Sequence, residues 1–162
     1  MQNPIPYYTR SLTALSKILE KAEAHAEAKK LKPDVLPQQR LIADMLPLRA
    51  QVMIACDHAK GAAARLSGTE NPVFADDETT LPELRARIAK TIAFMATIPA
   101  NAFDNVDGNT ITIKSGGTDR SFPAPQYYFG YSIPNFYFHM ATAHCILRAN
   151  GVDVGKSDFM GV

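Results

Sequence analysis

The sequence predicts an all-α protein, a four-helix bundle that carries one small β-hairpin between its third and fourth helices. Four stretches repeat their apolar residues every three or four positions, which is the period of one face of an α-helix. One stretch between the third and the fourth alternates apolar and polar residues, which is typical of a strand. A chain of 162 residues can bury one core without disulfide bonds or metal ions, so we expect a single domain over residues 1–162.

The first predicted helix runs from Pro4 to about Lys29. Its apolar residues lie alternately four and three positions apart and form one stripe: Tyr8, Leu12, Leu15, Leu19, Ala22 and Ala26. The end of this helix is rich in Ala, Glu and Lys, which are strong helix formers, and we expect His25 to be a surface residue there. Pro33 and Pro37 break the regular structure that follows. The apolar residues up to Leu46 predict short, packed turns in this connection.

The second predicted helix runs from about Pro47 to Ser67 and ends at Gly68. Proline is tolerated in the first turn of a helix, and glycine is favoured just after the last turn. The stripe of this helix contains several small residues, which predict a close contact with another helix: Leu48, Val52, Ala55, Ala59, Ala63 and Leu66. We expect Cys56, at the edge of the stripe, to be a small core residue, because neither a Cys-x-x-Cys motif nor a cluster of cations accompanies it.

The third predicted helix begins near Leu81 and ends at about Thr97, before Pro99. Thr80 and Glu83 form a capping-box pattern at its start, in which each side chain bonds to the backbone of the other residue. Three cationic residues are expected on its outer face: Arg85, Arg87 and Lys90. The preceding loop contains an acidic run that is expected to be solvated: Asp76, Asp77 and Glu78.

The predicted hairpin lies between the third and fourth helices. Residues 109–114 alternate apolar and polar, residues 115–117 supply a turn with two glycines, and residues 118–122 can return antiparallel. An isolated hairpin is only marginally stable in water, so we expect this one to lie on the bundle and to cover part of one end.

An aromatic segment, residues 122–131, leads from the hairpin into the last helix. Its prolines, Pro123 and Pro125, predict that no continuous helix runs through it. Because the burial of large aromatic rings is favourable, we interpret this segment chiefly as one that packs across one end of the bundle. A mouth lined by four tyrosines is the predicted pocket for a small molecule: Tyr127, Tyr128, Tyr131 and Tyr137.

The last predicted helix runs from about Ile133 to Asn150 and is apolar almost all the way round, so we expect other parts of the protein to cover it on several sides. Its main stripe includes His144, which is expected to be hydrogen-bonded to a neighbour. His139 lies at the edge of the stripe and is the candidate for a cavity-facing group. The two histidines are about 140° apart around the helix, so they are poorly placed to bind one metal ion together.

The opposite side of the last helix carries a second apolar row, which consists of Phe138, Ala141 and Cys145. A single bundle layer covers only one side of a helix. This outer row therefore predicts a second covering layer, and a homodimer interface would supply it.

Composition limits the classes of partner. Seventeen Lys and Arg residues balance sixteen Asp and Glu residues, which gives a net charge of +1. The protein has no large positive field, so we expect neither nucleic acid nor a membrane surface as a partner. We see no signal peptide and no apolar run as long as a membrane span, and the two cysteines form no disulfide framework. We therefore expect a soluble cytoplasmic protein.

Three segments of the sequence resemble a bacterial family of unknown function that is grouped with the DinB/YfiT-like metalloenzymes. The order of the predicted elements, which is three helices, a hairpin and a last helix, is similar to that family as well. The three segments include the motifs Asp44-Met45-Leu46-Pro47-Leu48, Gly68-Thr69-Glu70-Asn71-Pro72 and Ile133-Pro134-Asn135-Phe136-Tyr137-Phe138-His139. The resemblance covers nearly the whole chain. It implies a DinB-like four-helix bundle with a long crossover connection, a fold that is commonly dimeric.

The resemblance also implies where a metal ion would bind. DinB-like proteins use one histidine of the second helix and two histidines, four residues apart, of the last helix. His139 matches the first of that pair, Ala143 stands at the second, and His58 or Asp57 is left as the ligand from the second helix. The implied ion is Zn or Ni, which in a catalytic site usually has three protein ligands and one open position.

No motif in the sequence fixes a reaction, so no catalytic residue is assigned. Our leading hypothesis is a dimeric bundle without catalytic activity that binds a small ligand near the tyrosine-rich end. The alternative is a metal-dependent hydrolase or thiol S-transferase of the DinB-like type. In that alternative His139, His58 and Asp57 converge from two helices and water completes the metal shell.

Overall fold

Four long helices form the bundle, and their bounds agree with the apolar periodicity. In the computed structural model, which describes residues 1–162, the helices are α1 (Ile5–Ala28), α2 (Val35–Gln38), α3 (Leu48–Ser67), α4 (Leu81–Ala96), α5 (Ala124–Gln126), α6 (Ile133–Ala149) and α7 (Lys156–Met160). Two 3₁₀ turns, Ala100–Phe103 and Val106–Gly108, lead from α4 to the hairpin. None of the helices combines the length and the apolar character that crossing a membrane requires. The predicted all-α bundle is confirmed.

The ends of α3 and α4 follow from local residues. α3 ends at Gly68, whose φ of 72° is left-handed and whose N–H bonds to the carbonyl of Ala64. At the start of α4, the carboxylate of Glu83 accepts hydrogen bonds from the backbone N–H groups of Thr79 and Thr80 at 2.7 and 2.9 Å. These bonds lower the pKa of Glu83 to about 2. The predicted capping box is confirmed.

α3 is the most deeply buried helix. It packs most extensively against α6 and also against α4. Small residues such as Ala55 and Ala59 are completely buried, which lets the neighbouring helices approach closely. Within the single chain, Phe138, Ala141 and Cys145 of the outer row of α6 are exposed. The covering of α6 on several sides therefore stays a prediction that depends on the expected homodimer. The central position belongs to α3.

Arg87 does not lie on the outer face of α4, where the sequence predicts it. The loop between α3 and α4 folds over it, and its guanidinium contacts Asp76, Glu78 and Asp57 at 2.9, 3.1 and 3.0 Å. The prediction of a solvated acidic run holds for Asp76 and Asp77, which are exposed, and is wrong for Glu78, whose side chain is 13% exposed. A buried arginine needs counter-charges, and the acidic loop supplies them.

The hairpin consists of β1 (Thr110–Ser115) and β2 (Thr118–Pro123), which pair antiparallel as predicted. The turn residues Gly116 and Gly117 have φ angles of 59° and 80°, which are positive as in the type I′ turns of tight hairpins. Ile111 and Ile113 are buried, so one face of β1 packs on the bundle.

A π-helical segment, Tyr127–Ser132, joins α5 directly to α6. The prediction that the prolines prevent a continuous helix is right at Pro123, which is the last residue of β2. It is wrong at Pro125, which lies in the first turn of α5, where a helix tolerates proline. Pro134 lacks an N–H group and in a regular α-helix would clash with the carbonyl four residues earlier. The wider π-helical turn lies at the position of that carbonyl.

The last residues of the chain dock on the bundle. Asp158 of α7 pairs with Lys21 of α1 at 2.7 Å, and Arg10 donates a hydrogen bond to the carbonyl of Met160 at 3.0 Å. The ring of Phe159 packs edge-on against His144 of α6, with centroids 5.7 Å apart. α7 thus contacts both α1 and α6.

Candidate functional site

His58 on α3 and His139 on α6 face each other where these two helices pack. Their rings stack with centroids 5.9 Å apart and an interplanar angle of 17°. Both side chains are half-buried. The structure therefore brings together two of the three predicted metal ligands.

Gln51 determines which nitrogen of His139 carries the proton. Gln51 is 1% exposed, and its Nε2 donates a hydrogen bond to the carbonyl of Leu46 at 3.0 Å. Its Oε1 lies 2.7 Å from His139 Nδ1. An amide oxygen only accepts, so Nδ1 carries the proton and Nε2 of His139 keeps a free lone pair. Gln51 lies seven residues, or about two turns, before His58 on the same side of α3, and this spacing is the sequence signal that connects the two.

Both imidazoles are neutral at pH 7. Burial, followed by the neighbouring His139 and Arg65, lowers the pKa of His58 to about 4. Burial also lowers the pKa of His139. A neutral imidazole offers one lone pair, so each ring can accept a hydrogen bond or coordinate a metal ion.

Asp57, the third predicted metal ligand, is held by cations instead. Its Oδ1 contacts Arg87 at 3.0 Å and Lys60 at 3.5 Å. Ala143, at the position of a further DinB-like ligand, is buried and has no donor atom. No group of three or more His, Cys, Asp or Glu side chains is close enough to hold a metal ion. The residues present supply two imidazoles and do not fit a complete three-ligand site for Zn or Ni.

The four tyrosines predicted to line one mouth lie in two cavities. Tyr127 and Tyr131 stack with centroids 6.0 Å apart and line one cavity, whereas Tyr128 and Tyr137 line the other. Residues four apart lie on one side of a helical segment, while adjacent residues point in different directions. This geometry separates Tyr128 from its neighbours.

The larger cavity, which we call the tyrosine cavity, has a volume of about 260 Å³. It is lined by Met1, Gln2, Tyr7, Tyr8, Tyr128, Phe129, Ile133 and Tyr137. Burial raises the pKa of Tyr128 to about 12, so this hydroxyl is uncharged at pH 7. The cavity is therefore aromatic, apolar and neutral.

The smaller cavity, which we call the histidine cavity, has a volume of about 160 Å³. It is lined by Ile54, Asp57, His58, Arg65, Ile113, Lys114, Tyr127 and Tyr131. α3, β1 and the π-helical segment contribute these side chains. The cavity is mixed in character, with charged groups beside two isoleucines.

Ser132 connects the walls of the two cavities. It is completely buried, and its Oγ lies 3.4 Å from the carbonyl oxygen of His58 and 2.9 Å from Tyr8 Oη. A carbonyl only accepts, so Ser132 donates to His58 and accepts from Tyr8. A single buried serine has no characteristic spacing, and the sequence did not single it out.

Two further predictions concern His144 and Cys56. His144 is half-buried, and the expected bond to a neighbour is not found at its Nδ1, which has no hydrogen-bond partner within the chain. Its ring packs against Phe159 instead. Cys56 is completely buried, and burial raises the pKa of its thiol to about 12, which confirms a core residue rather than a nucleophile.

Comparison with solved structures places this architecture in a known class. A crystal structure described as a DinB family member protein from Shewanella denitrificans matches the chain with a TM-score of 0.88 and 42% sequence identity. The match covers 98% of this chain and 89% of that chain. The fold is that of a DinB-like four-helix bundle.

The chain belongs to the family described as a domain of unknown function, DUF1993, whose model matches residues 2–160. The predicted resemblance to a family of unknown function grouped with DinB-like proteins is confirmed. No curated protein matches the chain.

Proposed function

We propose that this protein is a non-catalytic bundle that binds a small, uncharged aromatic molecule in the tyrosine cavity. The observation that carries the proposal is the cavity itself, an open space of about 260 Å³ lined almost entirely by aromatic and apolar side chains. Sites for small molecules are concave, mostly apolar and equipped with a few polar groups. The tyrosine cavity has this composition.

The volume of the cavity limits the size of the ligand. An engineered apolar cavity of about 150 Å³ takes up benzene. The larger space here accommodates one substituted ring. Aromatic walls favour an aromatic occupant, because edge-to-face ring contacts are attractive. Tyr8 already makes such contacts with Tyr128 and Phe136, at centroid distances of 6.2 and 4.8 Å.

The charges around the cavity favour a neutral ligand. No Asp, Glu, Lys, Arg or His side chain lines it, and the amino group of Met1 is already paired with Asp107 at 3.2 Å. A charged ligand would lose its hydration without gaining a counter-ion. The hydroxyl of Tyr128 can serve one polar substituent, such as a phenol oxygen.

Titration of isotope-labelled protein with 4-methylphenol, followed by NMR, tests this proposal. We expect saturable shifts of the amides around the start of α1 and the π-helical segment. Ile133→Phe fills the tyrosine cavity and should weaken binding at least about tenfold, which corresponds to about 1.4 kcal/mol. The matched control is Ile54→Phe, which adds the same bulk to the histidine cavity and should leave the binding of 4-methylphenol unchanged.

Two results would contradict the proposal. One is the absence of saturable binding for 4-methylphenol, phenol and benzamide. The other is equal weakening by Ile133→Phe and Ile54→Phe. Unfolding curves of both variants are needed beside the titration, because overpacking a core position typically destabilises a protein by about 1–3 kcal/mol.

We also propose that two copies of the chain associate through the outer row of α6. Phe138 is 55% exposed there, and Ala141 and Cys145 are exposed as well. An apolar row on one helix can be buried against its own copy about a two-fold axis.

Cys56 and Cys145 are unpaired, which supports a reducing compartment, and the cytoplasm is our proposed location.

A second candidate function is metal-dependent catalysis, as a hydrolase or thiol S-transferase. The observation that favours it is the stacked pair of neutral imidazoles, with the Nε2 lone pair of His139 secured by Gln51. Histidines that bind metals commonly donate a hydrogen bond from their other ring nitrogen in this way. To complete the shell, Asp57 would have to leave Arg87 and Lys60, or water would have to supply the missing ligands.

Metal analysis of untagged protein tests this second candidate. The candidate requires stoichiometric Zn or Ni in the wild-type protein and its loss in His58→Ala and His139→Ala. His25→Ala, a histidine replacement on α1, serves as the control and should keep the metal. Absence of stoichiometric Zn, Ni, Mn and Fe, or unchanged metal content in His139→Ala, would remove the candidate.

A further inference from the structure

Arg65 and Lys114 bring two positive charges to the histidine cavity, and neither makes an ion pair. Arg65 is half-buried, and its side-chain hydrogen bond runs from Nη1 to Tyr127 Oη at 3.2 Å. A guanidinium has further N–H groups in a planar fork, which remain for a ligand. Such a fork matches the two oxygens of a carboxylate.

Gly61 makes room for this guanidinium. It lies one turn before Arg65 on α3, and a Cβ at this position would collide with Nη1 and lie 3.4 Å from Cζ of Arg65. The guanidinium therefore lies directly over a glycine in the interior of a helix. Glycine in a helix interior is unfavourable relative to alanine, and the position of the Arg65 guanidinium explains why a glycine stands at position 61.

The one carboxylate that lines the cavity, Asp57, offsets only part of the charge of Arg65 and Lys114, so the lining keeps an excess of one positive charge. Oδ1 of Asp57 is already in contact with Arg87 at 3.0 Å and with Lys60 at 3.5 Å. Positive charge is therefore in excess at this cavity.

The other walls restrict the shape of a ligand. Ile54 and Ile113 are apolar, while Tyr127 and Tyr131 present aromatic faces. A cavity of about 150 Å³ holds benzene, so the similar volume here holds a molecule of about six non-hydrogen atoms. Apolar walls suit a short hydrocarbon chain better than the all-oxygen surface of phosphate.

We propose that the histidine cavity is a second binding site, specific for a short-chain carboxylate. Arg65 binds the carboxylate group, Lys114 attracts it from the exposed side, and the hydrocarbon part lies between Ile54 and Ile113. The site shares no lining residue with the tyrosine cavity, and it needs no metal ion.

Titration of metal-free, isotope-labelled protein with propionate tests the proposal. The protein is stripped with EDTA, dialysed, and titrated at pH 7 and constant ionic strength. We expect saturable shifts of the Arg65 Nε–H signal and of the backbone amides around Gly61. Propionamide has nearly the same shape but no charge, so it should cause no saturable shift.

Three substitutions assign the binding to this cavity. Arg65→Met should weaken propionate binding at least about tenfold, because hydrogen bonds to charged groups contribute that much. Arg148→Met removes an arginine whose side chain is 62% exposed, at the other end of α6, and should have no effect. Gly61→Ala keeps the arginine and favours the helix, yet it displaces the guanidinium and should weaken binding several-fold without loss of stability.

Several results would overturn the proposal. One is the absence of a saturable propionate shift in the wild-type protein. Another is binding of propionamide as tight as that of propionate, and a third is equal weakening of propionate binding by Arg148→Met and Arg65→Met. Binding of inorganic phosphate in place of propionate would also overturn it. Unchanged binding in a folded Gly61→Ala variant counts against it even where Arg65→Met fails to fold. The 4-methylphenol titration tests the tyrosine cavity and uses other variants. Failure of carboxylate binding in the histidine cavity is therefore distinguishable from failure of ligand binding in the tyrosine cavity.

Discussion

Among single residues, Arg87 shows how a loop can reverse the exposure that helical spacing predicts. Its position on α4 lies at the edge of the apolar stripe formed by Leu84, Ile88 and Met95, and the residue is only 3% exposed. The carbonyl of Ala75 accepts one of its hydrogen bonds at 2.8 Å, and both oxygens of Glu78 lie 3.1 Å from Nη1. Periodicity describes one helix at a time, so it contains no information about which loop folds over the outer face.

Arg87→Met should destabilise the protein strongly. The substitution keeps an apolar stem but removes the cation that Asp57, Asp76 and Glu78 share. Breaking a buried ion pair from one side costs about 3–5 kcal/mol, and we expect about 3 kcal/mol here because Asp57 and Asp76 are partly exposed to water. Urea unfolding at pH 7 measures this loss.

Arg85, two residues earlier on α4, provides the matched control for Arg87. Its side chain is 32% exposed and pairs with Glu20 and Glu23 at 3.3 and 3.0 Å. Exposed ion pairs contribute about 0–1 kcal/mol, so Arg85→Met should cost less than about 1 kcal/mol. Equal losses in the two variants would show that burial of the acidic loop on Arg87 does not stabilise the fold.

Among the elements, α6 has two apolar sides with different surroundings. Phe136, Met140 and Leu147 on the inner side are buried against the bundle. The outer row is exposed in the single chain. The sequence predicts that both sides of α6 are apolar, because the apolar residues of each side recur at helical spacing. It does not say what covers the outer side, since a second molecule leaves no periodic signal in the first.

Phe138→Glu should convert the proposed dimer into a monomer. It places a charge in an apolar contact, and we expect the association constant to fall at least about 100-fold, or about 2.8 kcal/mol. Size-exclusion chromatography with light scattering measures the mass of wild-type and variant protein. Val73→Glu is the control, because Val73 is 95% exposed in the loop before α4 and its replacement should leave the dimer intact. A monomeric wild-type protein would contradict the dimer.

For the molecule as a whole, the arrangement of helices and hairpin could be predicted because each element buries one periodic face. Gly68 and the Thr80–Glu83 capping box even set the ends of α3 and α4. The candidate site could be predicted only in part. The meeting of His58 and His139 follows from the family resemblance, whereas Gln51, Arg65 and Ser132 join the site through contacts between distant parts of the chain. Those contacts have no counterpart in local spacing.

The π-helical segment has a consequence for insertions and deletions. A π-helical turn contains more residues than an α-helical turn over a similar rise. Loss of one residue within Tyr127–Ser132 would let the segment become a regular α-helix and would rotate the preceding side chains by about 100° relative to α6. Tyr127 would then leave the wall of the histidine cavity. The length of this one turn, as much as the identity of its tyrosines, decides which ring lines which cavity, so a homologue shorter by one residue here would have a different pair of cavities.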